Sequence, residues 1–209
     1  MRIDDVMALA PVIPVLVIED VAHARAIAEA LVGGGLRALE VTLRTPAALG
    51  VIEEMAKVPG AVVGAGTVLN AGQLHQAAQA GAQFIVSPGL TAGLAEAAVD
   101  RNLPYLPGVA NAGDIMRGLD LGLERFKFFP AEAAGGIKAL KALAAPFFRC
   151  RFCPTGGITE ASAPEWLALD AVACVGGSWV VPAGPLDTAV IYDRARAAAG
   201  LRTNHNRSS

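Results

Sequence analysis

The chain has 209 residues, of which 54% are apolar and 17% are charged, a composition typical of a globular protein with a buried core. An intrinsically disordered chain would be less apolar, so that class is excluded. The formal net charge of −2 provides no basic surface for nucleic acid or for an acidic membrane, and we therefore expect a small-molecule substrate and no nucleic-acid partner.

Short β-rich runs alternate along the chain with longer segments rich in Ala and Leu, as in a series of β–α units. The predicted strands are 12–18, 37–43, 61–67, 84–87, 105–109, 125–129, 151–155 and 171–175. The predicted helices are about 21–32, 46–57, 71–80, 91–101, 112–121, 137–144, 160–169 and 186–199.

Several residues mark the expected ends of these helices. Asp20 and Thr159 carry side-chain oxygens of the kind that cap helix N-termini. Gly33, Gly81 and Gly122 follow predicted helices, where a left-handed residue commonly ends the helix. These signals support the alternating pattern.

Eight consecutive β–α units predict an α/β fold, a single (β/α)8 TIM barrel. An open doubly wound sheet is the alternative, although such sheets usually have about five or six strands. Residues 4–10 predict a short N-terminal helix that closes the bottom of the barrel. We expect one barrel domain over residues 1–200 and a disordered tail over residues 201–209, which has almost no apolar side chain to bury.

The apolar segments predict no membrane span. The longest of them, residues 10–18, is shorter than the ~20 residues that cross a bilayer and contains Pro11 and Pro14. Asp4 and Asp5 stand where a signal peptide carries basic residues. We therefore expect a cytoplasmic protein without a membrane partner.

The cysteines and histidines give little support for redox or metal chemistry. Cys150 and Cys153 have the C-x-x-C spacing, but they flank a predicted strand, whereas a redox pair needs its first thiol at a helix N-terminus. The histidines are scattered at 23, 75 and 205. We expect buried or idle thiols and no metal site.

The second predicted strand carries polar side chains toward its C-terminal end, where TIM barrels place their chemistry. A period of two puts Glu40, Thr42 and Arg44 on one face, toward the barrel interior or its rim. Glu40 is either a catalytic carboxylate or an ion-pair partner of Arg44 or Lys127. Arg44 either forms a salt bridge at the rim or binds a carboxylate or phosphate through its planar guanidinium.

Lys127 lies between aromatic neighbours in the sixth predicted strand, an unfavourable place for an ammonium group. The other lysines, at 57, 138 and 141, lie in predicted helices and read as solvated charges. Lys127 either extends its amine to solvent or to a carboxylate, or it is a nucleophilic amine whose neutral form is favoured by burial.

Glycines follow the last two predicted strands. Gly156 and Gly157 end the seventh strand, and Gly176, Gly177 and Ser178 end the eighth. These loops form the usual phosphate site of a TIM barrel, and the alternative is that the glycines only make tight turns. Residues 64–67 (GAGT) are not a dinucleotide fingerprint, because the third glycine is missing.

Six segments together resemble one family, the 2-keto-3-deoxy-6-phosphogluconate (KDPG) and 4-hydroxy-2-oxoglutarate (KHG) aldolases, over nearly the whole chain. They are 34–45 (GGLRALEVTLRT), 64–69 (GAGTVL), 84–89 (FIVSPG), 127–131 (KFFPA), 152–158 (FCPTGGI) and 174–179 (CVGGSW). Six segments in order at the expected strand ends are specific, whereas a single one of them would be weak evidence.

The resemblance implies a class I aldolase that needs no metal and acts in the Entner–Doudoroff pathway. Lys127 would form a Schiff base and Glu40 would move protons, while Arg44 and Thr67 hold the pyruvate part of the substrate. The resemblance also implies a homotrimer. It places further residues along the rest of the substrate: Pro88, Phe129 and Thr155 in the pocket wall, and Gly156, Gly157, Gly177 and Ser178 at the phosphate.

Residues 110–114 (ANAGD) depart from the family, which often has small hydroxyl residues and an acid there. This loop follows the fifth predicted strand at the catalytic rim, so a changed substrate range is one interpretation.

Two other functions fit the barrel and the glycine loops. One is a phosphate-binding isomerase or epimerase that uses carboxylate acid–base chemistry without an imine. The other is an inactive barrel that only binds a sugar-acid phosphate, since a fold alone does not imply a function.

Overall fold

The computed structural model describes residues 1–201, and the predicted tail over 202–209 lies outside the described residues. Leu201, where the tail was expected to begin, is partly buried against the core, and its N–H donates to the Ala198 carbonyl at 3.2 Å.

Strands and helices alternate through the described chain. The strands are β1 (Val12–Leu16), β2 (Ala38–Thr42), β3 (Val62–Gly66), β4 (Phe84–Val86), β5 (Tyr105–Leu106), β6 (Gly108–Val109), β7 (Arg125–Phe128), β8 (Arg151–Pro154) and β9 (Val175–Gly177). The helices are α1 (Ile3–Met7), α2 (Ala24–Gly33), α3 (Ala48–Met55), α4 (Ala71–Gln79), α5 (Ala92–Asp100), α6 (Ala112–Asp120), α7 (Gly136–Ala144), α8 (Ala163–Leu167) and α9 (Thr188–Ala199), and a 3-10 turn (Val21–His23) precedes α2.

The strands pair in parallel throughout the described residues. One sheet has six strands in the order β5-β4-β3-β2-β1-β9, and a second has three in the order β6-β7-β8. Isolated parallel bridges join Phe152 to Val172 and Thr155 to Gly176. The α/β class is thus confirmed as a curled parallel sheet covered by helices.

The strands bury their two faces in two apolar clusters. Leu39 and Val41 point to the larger cluster, between the strands and the helices, whereas Ala38 points to a smaller one on the concave face. The predicted short N-terminal helix is confirmed as α1, because Val6 and Met7 are buried in this smaller cluster. The Arg125 guanidinium also donates to the carboxylate of Asp4 in α1.

Of the two predicted N-caps, Asp20 is confirmed and Thr159 is wrong. The Asp20 carboxylate accepts from the Ala22 N–H at 2.9 Å and starts the 3-10 turn. Thr159 does not cap α8, which begins at Ala163, because the Thr159 hydroxyl accepts from the Ser162 N–H at 3.2 Å one turn earlier.

The predicted left-handed glycines are correct at two of the three positions. Gly81 and Gly122 have φ of 99° and 75° directly after their helices. Gly33 is still helical, and Gly35, with φ of 101°, is the left-handed residue that follows α2.

The last predicted strand, 171–175, is wrong in position, since β9 covers Val175–Gly177. Gly176 and Gly177 lie within β9, and neighbouring side chains fill the space that their own side chains would need. A Cβ on Gly176 would meet the Thr155 side chain, and a Cβ on Gly177 would meet the Trp179 ring.

Phe84 occupies space on the concave face that only a glycine on the next strand leaves open. The Phe84 ring is fully buried, and a Cβ added to Gly64 would overlap three of its ring atoms. The first glycine of the GAGT segment, Gly64, is therefore explained by the packing of the Phe84 ring.

We predict that Gly64→Ala lowers the free energy of unfolding by about 1–3 kcal/mol, because the added methyl overpacks the Phe84 ring. The matched control is Gly93→Ala in α5, where a Cβ has no neighbour within 4 Å. The control should raise the free energy of unfolding by about 0.5–1 kcal/mol through helix propensity. Urea titration of both variants measures the difference, and equal stabilities would contradict the packing role.

Candidate active site

Lys127 and Glu40 meet on the concave face of the strands. The Lys127 Nζ donates to Glu40 Oε1 at 3.0 Å, and the two residues are 5% and 3% exposed. Glu40 lies in the middle of β2 and Lys127 in β7, so this bond joins the six-stranded sheet to the three-stranded sheet. Lys127 is therefore paired and buried and does not extend to solvent.

The aromatic surroundings of Lys127 differ from the expectation. Phe126 and Phe128 point away from it into the helix-side cluster, because side chains alternate along a strand. Only Phe129, just beyond the strand end, approaches the amine, with its ring centroid 5.4 Å from Nζ. Of these three phenylalanines, Phe129 alone therefore lies beside the amine together with the Glu40 carboxylate.

Gly66 makes the space that Glu40 occupies. β2 and β3 are paired in register, and a Cβ on Gly66 would meet the Oε1, Cγ and Cδ atoms of Glu40. Gly66, the second glycine of the GAGT segment, therefore leaves room for the Glu40 side chain to lie against the sheet and to reach Lys127.

A buried ion pair is weak evidence for stability, because the loss of hydration offsets most of the attraction between the charges. Glu40 is the only buried carboxylate among residues 1–201, and Lys127 is the only buried ammonium there. A buried amine in contact with a carboxylate supplies the groups that nucleophilic attack and proton transfer require, so the pair is a candidate catalytic site. An acid–base mechanism that needs a second buried carboxylate has no candidate in this part of the chain.

Arg44 lies just beyond β2 and is exposed. Within residues 1–201 its guanidinium has no ion pair or hydrogen bond, so it neither forms a rim salt bridge nor pairs with Glu40. Thr42, two residues before it, donates to the Leu16 carbonyl at 2.8 Å and joins β2 to β1. Of these two polar side chains, Arg44 alone is available to a ligand.

Thr67 follows β3 in a strained conformation. Its φ of 57° lies in the left-handed region, which a β-branched residue rarely adopts. Such strain persists where the surrounding structure enforces it and is frequent at ligand sites. Thr67 is partly exposed at the same edge as Arg44.

Pro88 is held by a short network after β4. The Ser87 hydroxyl donates to the Gly89 carbonyl at 2.6 Å, and it lies 2.7 Å from the Tyr105 hydroxyl. Burial raises the pKa of Tyr105 to about 12, and the bond to Ser87 opposes part of this shift. The backbone of Gly108 also packs directly on the Pro88 carbonyl.

The glycine loops after β8 and β9 lie side by side, because Thr155 bridges to Gly176. Gly156 and Gly157 have φ of 102° and 82°, which only glycine adopts without strain. Within the described chain, the Gly157 N–H and the exposed Ser178 hydroxyl have no hydrogen-bond partner. Each of the two adjacent loops thus has a donor that is free for a ligand.

Gly177 lies within β9 and therefore makes no tight turn, but its missing side chain serves packing. It is buried, and the Trp179 ring fills the position of its missing Cβ.

The divergent loop over 110–114 forms a helix cap. The Asn111 side chain accepts from the Asp114 N–H at 3.0 Å, and the Asp114 carboxylate accepts from the Ala110 N–H at 2.9 Å. Asp114 also pairs with Arg117. Its polar groups are used within the loop and at the start of α6, so the interpretation as a change of substrate range gains no support from the structure.

The cysteines lie on different faces of the strands. Cys150 belongs to the helix-side cluster, and Cys153 and Cys174 belong to the concave cluster. The hydrogen bond with Cys153, followed by burial, raises the pKa of the Cys174 thiol well above its ordinary value. Burial and the nearby Glu124 likewise raise the pKa of Cys150. The C-x-x-C spacing does not bring Cys150 and Cys153 together, and Cys153 and Cys174 extend the apolar cluster of the concave face.

Two further features concern metals and membranes. No group of three or more His, Cys, Asp or Glu side chains within residues 1–201 is arranged to hold a metal ion. None of the helices in that range combines the length and the apolar character that a bilayer crossing requires.

The model of one protein family, the KDPG and KHG aldolases, matches residues 3–194 of the chain. The chain belongs to this family. It is 64% identical to the 2-dehydro-3-deoxy-phosphogluconate aldolase of Zymomonas mobilis over 96% of each chain.

Solved structures of family members are closely similar. The KDPG aldolase of Zymomonas mobilis ZM4 with 3-phosphoglycerate is 63% identical, with a TM-score of 0.95 over 97% of each chain. The KDPG aldolase of Legionella pneumophila, with pyruvate captured at low pH as a covalent carbinolamine intermediate, is 45% identical. Its TM-score is 0.93 over 96% of this chain and 99% of that one.

We predict that Thr67→Gly lowers kcat/KM for KDPG by about tenfold to a hundredfold, as expected for the loss of a hydrogen bond to a charged ligand. Its free energy of unfolding should not fall, because glycine relieves the strain at φ of 57°. The control is Asn102→Gly, at the other left-handed non-glycine residue of residues 1–201, with φ of 53°. It should leave kcat/KM unchanged, and a Thr67→Gly variant with full activity would contradict the ligand role.

Proposed function

We propose that the chain is a class I aldolase that cleaves KDPG to pyruvate and glyceraldehyde 3-phosphate. The observation that carries this proposal is the buried pair of Lys127 Nζ and Glu40 Oε1, 3.0 Å apart. A class I aldolase needs a nucleophilic amine and a proton carrier in contact, away from bulk water. Membership of the KDPG and KHG aldolase family supports the same reaction.

The hydrogen bond provides the first step. A proton passes from the Lys127 ammonium to Glu40, which leaves a neutral amine and a carboxylic acid. The amine attacks the C2 keto carbon of the substrate, and a carbinolamine forms. Glu40 returns its proton to the carbinolamine hydroxyl, water leaves, and a protonated imine remains.

The imine then accepts the electrons of the breaking bond. Glu40, again a carboxylate, takes the proton of the C4 hydroxyl as the C3–C4 bond breaks. The bonding electrons move toward the imine nitrogen and form the enamine of pyruvate, and glyceraldehyde 3-phosphate leaves. Glu40 protonates C3, and water hydrolyses the resulting imine, releasing pyruvate and the Lys127 amine.

The carboxylate of the substrate would lie beyond the ends of β2 and β3, and its phosphate would lie beyond the ends of β8 and β9. Arg44 and Thr67 hold the pyruvate carboxylate. The unpaired guanidinium of Arg44 and the strained backbone of Thr67 support this assignment. The phosphate lies at the loops that present free donors at Gly157 and Ser178. Gly156 in the first loop and Gly177 at the end of β9 adjoin these donors, and Pro88, Phe129 and Thr155 line the wall between the two ends.

The reaction proposed for the shorter substrate, KHG, follows the same steps and gives pyruvate and glyoxylate. It uses Lys127, Glu40, Arg44 and Thr67 and leaves the phosphate loops empty. The isomerase or epimerase alternative gains no support, because the described residues offer no second buried carboxylate.

The remaining expectations are part of this proposal. The strands close into an eight-stranded barrel in which β5 and β6, separated by Pro107 alone, count as one strand. The bridge from Thr155 to Gly176 supports this closure. The enzyme acts without a metal, as a homotrimer, in the cytoplasm, and unchanged turnover in the presence of a chelator tests the first of these points.

We predict that Lys127→Met abolishes KDPG cleavage, because no amine remains to form the imine. This variant leaves Glu40 buried without a partner, which should destabilise the protein by about 3–5 kcal/mol. The double variant Lys127→Met with Glu40→Gln removes both charges and should recover part of that stability while it stays inactive. Coupled pyruvate assay and circular dichroism measure both properties, with Lys138→Met on α7 as an active control. Cleavage by the folded double variant would refute the assignment.

We predict that Glu40→Gln slows KDPG cleavage by about 10²–10⁴-fold, since it removes the proton carrier but leaves the amine. Single-turnover kinetics of pyruvate release measure this effect. Unchanged turnover would reject the role of Glu40 in proton transfer.

A further inference from the structure

Glu132 lies between the strand that carries Lys127 and the glycine loop after β8. Its backbone N–H donates to the Gly156 carbonyl at 3.1 Å, and the N–H of Ala131 donates to the Thr155 carbonyl at 2.8 Å. The segment that follows Lys127 is therefore bonded to the start of the loop proposed for the phosphate.

The Glu132 side chain is held by a hydrogen bond from the buried Trp166. Trp166 of α8 is fully buried, and its Nε1 donates to Glu132 Oε1 at 3.0 Å. The ring packs near Phe128 of β7, with centroids 6.3 Å apart. Trp166 thus anchors the side chain of Glu132, which is itself exposed, to the rigid part of the fold.

Gly157 packs directly on this anchored side chain. A Cβ added to Gly157 would lie 2.7 Å from the Cγ of Glu132 and 2.8 Å from its Cβ. The left-handed conformation of Gly157 and the contact with Glu132 together fix the direction of the Gly157 N–H. That N–H is one of the unpartnered donors described above.

The charge of Glu132 is turned toward a helix. A Cβ added to Gly136, the first residue of α7, would lie 3.5 Å from Glu132 Oε2. A carboxylate is favourable at a helix N-terminus, where the macrodipole is positive. An acidic residue is thereby accommodated beside a loop that would receive a negatively charged group.

We propose that Glu132 is a positioning residue that holds the Gly156–Gly157 turn in the shape that receives a phosphate. It sets the preference of the enzyme for phosphorylated over unphosphorylated 4-hydroxy-2-keto acids. This proposal rests on the proposed aldolase function. Within the described residues Glu132 forms no hydrogen bond or ion pair with Lys127 or Glu40, so we expect its effect at the phosphate end.

The test compares steady-state cleavage of KDPG and KHG by the intact protein. Glu132→Ala should raise KM for KDPG about tenfold, with kcat changed less than about twofold, and should leave both constants for KHG unchanged. Glu132→Gln should behave as the unsubstituted protein, because its amide oxygen still accepts from Trp166 and its stem still supports Gly157. Glu165→Ala, an exposed residue next to Trp166 in α8, is the matched control and should change neither substrate.

The outcomes separate this proposal from the proposed function. An equal loss with both substrates, no change with KDPG, or a Glu132→Gln variant as poor as Glu132→Ala would each overturn the positioning role. Should Glu132→Ala not fold, Trp166→Phe removes the same hydrogen bond and should raise KM for KDPG alone. If the unsubstituted protein cleaves neither substrate, the aldolase function fails instead.

Discussion

The bond between Lys127 and Glu40 is the contact on which the rest of the site depends. It crosses the concave face and joins strands that belong to different sheets. Each charge needs the other, because an unpaired charge at that depth would be strongly unfavourable. The strand register, the absence of a side chain at Gly66 and the apolar floor below the pair all serve to bring one amine and one carboxylate to 3.0 Å.

The candidate site has two layers, one within the strands and one just beyond their ends. The pair lies within strands, whereas Arg44, Thr67 and the glycine loops lie just beyond strand ends, where backbone and side-chain donors are free for a ligand. The strain at Thr67, with φ of 57°, and the left-handed glycines at 156 and 157 occur in this outer layer. Buried chemical groups within the strands and binding groups at the rim are the arrangement expected where a ligand binds at the C-terminal ends of parallel strands.

The alternation of residues in β2 and the position of Lys127 in β7 were sufficient to select Glu40 and Lys127 as candidate site residues, but they left the partner of Glu40 open between Arg44 and Lys127. Alternation applied to β7 itself would also have placed Phe126 and Phe128 on the far face. Other features depend on contacts distant in sequence, which no local pattern reports. The Trp166–Glu132 bond spans 34 residues, the space for Glu40 comes from Gly66 on the next strand, and β9 includes glycines because Thr155 and Trp179 fill the space beside them. The strain at Thr67 has no sequence signal, since threonine is ordinary at a strand end.

The most direct test of the imine mechanism is to incubate the protein with pyruvate and borohydride, with and without chelator, and to locate the reduced adduct by peptide mass mapping. The imine mechanism predicts one adduct, on the peptide that contains Lys127, at the same yield with chelator present. The lysines at 57, 138 and 141 serve as internal controls, because they carry the same amine outside the site. An adduct spread over those lysines, or no adduct on the folded protein, would contradict the imine mechanism.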